Sequence, residues 1–308
     1  ARPSLRVPGS LQIYRLAVAA TEEYVQAVGP SVDEAQAEIV IAINRVNQIY
    51  ERDLGIRLQL ILNNQQLLYT NAAADPYTND NLLLMLEENQ ANIDSVIGNN
   101  LYDIGHVFST ASGGVALVGA VCQQGFKAQG VTGLSDPSGD AFYIDYVAHE
   151  IGHQFAADHS FNGTELACGP GRVPLTAFEP GSGTTIMSYA GICGLENIQN
   201  NADALFHAGS IAQIDAYTST GGGANCADVK TISNNPSLPT ADAGADEYVI
   251  PTETAFVLKG TGSDADGDVL SFTWEQMDAG TETTRFTLGD DLGDNALMRS
   301  RPPQASAE

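Results

Sequence analysis

Three of the five histidines in this chain, His149, His153 and His159, fall within one eleven-residue stretch, HEIGHQFAADH, and no other feature restricts the fold as tightly. On a helix, residues four apart share a face, so His149 and His153 project toward one point. Zinc takes imidazole nitrogen at about 2.0 Å in tetrahedral sites, and a catalytic site keeps one position for water beside three protein ligands. His159 supplies the third ligand. It stands six residues beyond His153, too far round for the same helical face, so the chain has to leave the helix between them. Glu150, beside the first ligand, is placed as general base toward a water whose pKa the ion lowers, and passes the proton to the leaving amine of a peptide. His106 and His207 lie outside the cluster and read as packed or solvated residues.

The rest of the chain supplies elements to hold that helix. Leu11 to Ala20 follows a Pro-Gly turn and is rich in strand formers, which predicts a first strand. Ser31 and Glu34 form a capping box, and Ile39, Ile43, Val46 and Tyr50 recur at helical spacing until Gly55. Ile56 to Leu62 reads as a second strand. A helix is expected over about Asp80 to Ile97, with Leu83, Leu86, Ile93 and Ile97 on its buried face. Asp103 to Phe108 and Gly114 to Val121 read as two further strands, followed by a glycine-rich loop. The metal helix starts near Asp140, residues 162–201 are loop-like, and a last helix runs from about His207 to Tyr217. Interleaved strands and helices followed by an irregular subdomain define an α/β domain over residues 11–227, after an N-terminal extension of residues 1–10.

Composition narrows the partners. Thirteen Lys and Arg against 38 Asp and Glu give a net charge of −25, which repels phosphate backbones and anionic headgroups and argues against nucleic acid and membrane surfaces. No apolar run approaches the roughly 20 residues that span a bilayer. ARPSLRVPGS lacks the apolar stretch of a signal peptide, so the numbering is expected to begin after processing. Cys122, Cys168, Cys193 and Cys226 are too widely spaced for a C-x-x-C site, and an even count suits two disulfides in an oxidising compartment, with three pairings open. Residues 228–240 are of linker composition. Beyond them, Glu247 to Ile250, Ala255 to Lys259 and Val269 to Glu275 are β-rich runs that read as a small, incomplete all-β sandwich over residues 241–308.

HEIGHQFAADH, with Met187 of TIMSYAGIC placed 28 residues after His159, resembles the metzincins, with their extended zinc motif and Met-turn. Within that clan, YRLAVAATEEY, YDIGHVFSTASGGVALVG and HEIGHQFAADHSFNG make Leu11 to Cys226 similar to the secreted bacterial relatives of the reprolysins, or adamalysins. The resemblance implies a twisted mixed sheet, catalytic zinc on the three histidines, Glu150 as base and Met187 beneath the metal. It implies a monomer acting outside the cell on protein or peptide substrates, after loss of signal and propeptide. Tyr189 stands where astacins and serralysins carry a tyrosine that ligates zinc or stabilises the transition state. The sheet's edge strand, with Gly114, Val115, Ala116, Leu117 and Val118, would pair with substrate, and Ala190, Gly191 and Ile192 would wall an apolar specificity pocket. Two departures stand out: Ala156 replaces the glycine at the turn toward the third ligand, and Ser160 follows that ligand where reprolysins commonly have Asp. The clan also favours the pairings Cys122–Cys226 and Cys168–Cys193. The tail resembles PKD modules of immunoglobulin type, chiefly through GTGSDADGDVLSFTWEQ, whose Asp264, Asp266 and Asp268 are candidate Ca²⁺ ligands.

Two alternatives remain. Glu179 lies at a distance from His153 that suits the third ligand of a gluzincin, although AFEPGSG is a loop rather than a helix. An adhesin or other binding protein on a peptidase-like fold would have no need of Glu150.

Overall fold

A computed structural model describes residues 8–245, 247–251 and 253–307; residues 1–7 of the expected extension lie outside the described residues. β1 (Ser10–Ala20) is the spine of the sheet. Its side chains alternate between two cores: Tyr14, Leu16, Val18 and Ala20 face one, Ala17 and Ala19 the other, as the period of two requires. β2 (Ile56–Leu60) and β3 (Ile104–Ser109) flank β1 in parallel, β4 (Gly113–Ala116) forms one edge, and β5 (Gly130–Gly133) lies between β3 and β4. β4 alone among these five runs antiparallel to its neighbour.

On the first face lie α1 (Glu22–Val28) and α2 (Val32–Ile49). The Ser31–Glu34 capping box opens α2, which buries Ala35, Ile39, Ala42, Ile43, Val46 and Ile49. Gly55, at φ +58, ends the helical run in the left-handed conformation that glycine adopts without a Cβ penalty. α3 (Leu82–Val96) covers the second face, with Ile93 and Ile97 buried and Leu86 packed against that core as expected. Leu83 is 69% exposed, and Met85, Asn89 and Gln90 are buried beside Ile93. The amides are tolerated there because Asn89 Nδ2 donates to Ala128 O at 2.6 Å and Gln90 Oε1 accepts from Ala128 N at 2.8 Å.

The metal-motif helix begins as α4 (Gly139–Phe142), passes through π-helical turns at Tyr143–Ala148 and continues as α5 (His149–Gln154). The subdomain after it holds α6 (Cys168–Gly171) and ends on α7 (Ala208–Ser219). Both disulfides favoured by the resemblance are present, Cys122–Cys226 and Cys168–Cys193.

Three expectations change. The edge strand stops at Ala116; Leu117 N still donates to Gln129 O at 3.0 Å, and Val118 lies in the turn with Gly119, whose φ is +72. The first residues of the expected linker form β6 (Asp228–Thr231), antiparallel to the start of β1. Beyond it, β7 (Thr240–Asp242) pairs with β8 (Thr261–Ser263), and Phe272 bridges Gln304. The runs 247–250, 255–259 and 269–275 otherwise form no strands. Val249, Val257 and Val269 are exposed, with no facing sheet to bury them. The tail docks on the irregular subdomain instead: Asn162 Nδ2 donates to Thr281 O, Arg172 Nη2 to Gly280 O, and the Ala208 N–H to Glu275 Oε2. Among the described residues no helix is long and apolar enough to cross a membrane.

Candidate metal centre

α5 is fixed at both ends before it presents any ligand. Tyr50 Oη donates to Ala148 O at 2.8 Å. At the other end Gln154 Nε2 donates to Gly105 O of β3, while its Oε1 accepts from His106 Nδ1 at 2.9 Å. His106 Nε2 then accepts from Thr132 Oγ1 of β5, so this fully buried histidine locks the helix to the sheet and lies outside the metal cluster. His207 caps α7, its Nδ1 accepting from Gly209 N, and its ring stacks on Phe178.

From α5, His149 and His153 project side by side, with ring centroids 4.8 Å apart. The chain then leaves the helix through Ala156, at φ +70. The left-handed exit expected of a glycine is thus made by alanine, which bears a steric cost of roughly 1–2 kcal/mol. The turn brings in His159, and the ligand atoms of His149, His153 and His159 lie within 4.8 Å of one another.

All three rings are oriented in the same way. His149 Nδ1 faces Ile186 O at 2.7 Å, His153 Nδ1 faces Ala157 O at 2.7 Å, and His159 Nδ1 faces Gly171 O at 2.6 Å. A carbonyl only accepts, so each Nδ1 carries the proton and each Nε2 keeps a lone pair. Nε2 of His153 and Nε2 of His159 are 3.0 Å apart with no proton to share, an arrangement that suits a cation among three neutral donors. Nitrogen donors from three histidines are the set that zinc accepts in open catalytic sites. Burial first, then the neighbouring rings, hold His149 well below the ordinary histidine range, and burial, with the closeness of the His159 ring disfavouring a second charge, takes His153 down to about 3. Burial also lowers His159, against the opposing effects of its Gly171 hydrogen bond and Asp158.

Glu150 is buried beside the first ligand, and its Oε2 has no hydrogen-bond partner. Burial pushes its carboxyl up to about 8. The edge strand reaches it closely: a Cβ on Gly114 would lie 2.5 Å from Glu150 Cγ. Met187 packs against Gly152 of the ligand helix, where a Cβ would come within 2.5 Å of its Sδ. The Tyr189 ring sits 4.5 Å from that of His159 and stacks on Phe161 at 4.6 Å. Burial and then the Glu150 charge push its phenol up to about 12. Val115 and Ala116 are half-buried on the edge strand, and Ala190 is half-buried with Gly191 and Ile192 exposed beyond Tyr189.

The remaining candidates are not brought to this centre. Glu179 is fully buried, but its carboxylate is engaged by Ser160, Thr184 and Thr185. Asp264 accepts from the Asp266 and Asp268 N–H groups, and Asp266 from Ser237. These aspartates form no second metal-ligand group among the described residues. Sequence reasoning missed Gly114 and Gly152 as space-makers and the three carbonyls that orient the rings. A glycine inside a helix, as in HEIGH, was the one available signal, since it costs helix stability unless packing requires it.

A mixed α/β fold with a three-histidine centre, a buried carboxylate beside it and a methionine packed on the ligand helix defines a metallohydrolase of the metzincin type. Residues 10–218 match the family described as Metallo-peptidase family M12B Reprolysin-like, and the chain belongs to it. Membership makes it a metalloprotease acting on proteins or peptides and implies zinc as its metal. Among solved structures the chain is similar to that of myroilysin, at 10% identity and a TM-score of 0.34, over 71% of this chain and 95% of that one. No curated protein sequence matches.

Two outcomes are expected. Ala156→Gly relieves the left-handed turn and raises stability by about 1 kcal/mol, less what glycine gains in unfolded-chain entropy; an unchanged or lower denaturation midpoint contradicts the strain. The second concerns pH in the zinc-free Glu150→Gln chain, which lacks the opposite titration of Glu150. His149, His153 and His159, together with His106, which burial lowers to about 4, all bind protons more weakly folded than unfolded. Their stabilisation is complete above the unfolded histidine pKa of ~6.5 and is lost as pH falls through the lower folded values. Urea midpoints should therefore drop between pH 7.5 and pH 5, and a flat profile would be evidence against buried neutral rings.

Proposed function

We propose that this chain is a secreted zinc endopeptidase that cleaves extracellular proteins within the polypeptide. The observation that carries the reading is the convergence of three unprotonated Nε2 atoms beside a buried carboxylate that has an unpartnered oxygen. His149, His153 and His159 would hold zinc, which when bound polarises the scissile carbonyl and lowers the pKa of the attacking water. Glu150 accepts the proton of that water and delivers it to the leaving amine.

Substrate positioning falls to the chain's edge. β4 closes the sheet with β5 on one side only, so an extended peptide can add antiparallel to its free edge, main chain to main chain. Gly114 lets that edge approach Glu150, which sets the bound peptide close to the base. Ala190, Gly191 and Ile192 form a small, apolar wall that favours an apolar residue after the scissile bond. The Tyr189 phenol, kept protonated by burial, donates to the oxyanion as it forms. Two disulfides support an oxidising, extracellular setting. The PKD-like reading of residues 241–308 rests on GTGSDADGDVLSFTWEQ.

Cleavage of a casein or peptide library by the zinc-loaded chain should disappear with a chelator. In Glu150→Ala that retains zinc it should fall by about 10²–10⁴. No cleavage by the wild type would favour a binding protein on this fold. Tyr189→Phe should lower kcat by roughly 10²-fold with KM little changed; an unchanged kcat would confine Tyr189 to packing on Phe161.

A further inference from the structure

Outside the metal cluster, the described side chain with the most concentrated set of hydrogen bonds is Glu179. It is completely buried, and its donors are hydroxyls and backbone N–H groups. Oε1 accepts from Ser160 Oγ at 2.6 Å and from Thr185 Oγ1. Oε2 accepts from Thr184 N at 2.7 Å and Thr185 N at 3.1 Å, with the Thr184 hydroxyl also at 3.1 Å. Burying a carboxylate is unfavourable unless it is saturated in this way, and a saturated one is correspondingly rigid.

The placement of the partners gives the carboxylate its meaning. Ser160 directly follows the ligand His159. Thr185 directly precedes Ile186, whose carbonyl orients the ligand His149. The main chain repeats the tie: Glu179 N donates to Ser160 O, Asn162 N to Glu179 O, and Ser160 N to Met187 O. The two segments lie 25 residues apart in the chain, and neither is part of a helix or of the central sheet. Glu179 accepts from both segments at once, while their own hydroxyls, Ser160 Oγ and Thr185 Oγ1, meet only at 3.5 Å.

We infer that Glu179 is a positioning residue for the metal centre: its carboxylate fixes the segment carrying His159 against the segment that orients His149, and so sets the spacing of two of the three ligands. This rests on the three-histidine reading of the site. It also gives Glu179 a different place from a ligand, since its oxygens are occupied by these donors.

The test measures zinc affinity by chelator competition and the absorption spectrum of the cobalt-substituted chain, together with melting of the zinc-free form. Glu179→Ala leaves three or more donors unpaired and should weaken zinc binding about 10–100-fold, the usual range for residues that orient ligands, with an altered cobalt spectrum. Glu179→Gln keeps an acceptor for Thr184 N and Thr185 N, and its amide can donate to the two hydroxyls, so it should recover most of the affinity. Ile39→Ala, in the core of α2, is the stability control and should lower melting without changing zinc affinity. Should Glu179→Ala fail to fold, Ser160→Ala carries the test, with a smaller loss of affinity in the same direction. Unchanged affinity and cobalt spectrum in the Glu179 and Ser160 variants, with lowered melting only, overturns the inference. His159→Ala separates this from the underlying reading: if it too keeps zinc, the three-histidine centre itself is wrong.

Discussion

Neutral imidazoles whose lone pairs face one another repel until a cation lies among them, and most of the second half of this chain serves to hold three in that state. The holding is done by backbone carbonyls. Each comes from a different place: Ala157 at the exit of the ligand helix, Ile186 in the Met-turn, and Gly171 in the disulfide-bonded loop. Fixing three rings therefore means fixing three segments relative to one another. The sheet supplies one anchor through the His106 and Gln154 contacts to α5, and the irregular subdomain has to supply the rest.

Close approach follows from this geometry, and it explains where small residues are unavoidable. Met187 can pack on the ligand helix only because Gly152 has no side chain, and the edge strand can reach Glu150 only at Gly114. Ala156 is the exception. It takes the left-handed conformation with a Cβ, next to a turn in which Ala156 N donates to His153 O and Gly119 N donates to the same carbonyl. The strain sits between two metal ligands, where the binding energy of an ion can offset it.

What the sequence made legible follows the same division. The ligand spacing, the capping box of α2 and the strand pattern of β1 are local periodicities, and the structure contains each of them. β5 was not legible. It is four residues long and glycine-flanked because a Cβ at Gly130 would meet His106 and Gln154, and one at Gly133 would meet the Ala111 main chain, so no alternation of apolar residues marks it. The buried face of α3 was read at Ile93 and Ile97 but not at its amides, since Asn89 and Gln90 are buried by virtue of partners 39 and 38 residues away. The carbonyls that orient the histidines carry no signal at all, because every residue has one. The disulfide pairing came from family likeness and not from spacing, and the β-rich runs of the tail were read from local propensity without a surface to bury them.

The Cys168–Cys193 bond shows how the irregular half reaches the metal. Gly171, whose carbonyl receives the His159 proton, also lies flat against Tyr189: a Cβ there would be 2.8 Å from Tyr189 Cε2. A side chain at 171 would displace either the phenol or the carbonyl. The disulfide closes just beneath, in one small cluster with Phe161 and Tyr189. Its half-cystines are separated by 25 residues, a loop whose closure constrains the unfolded chain by about 3.5 kcal/mol. Residues 162–201 contain only two short helical turns, so regular secondary structure cannot supply that constraint. The third ligand is thus oriented by a loop whose own shape depends on a covalent bond.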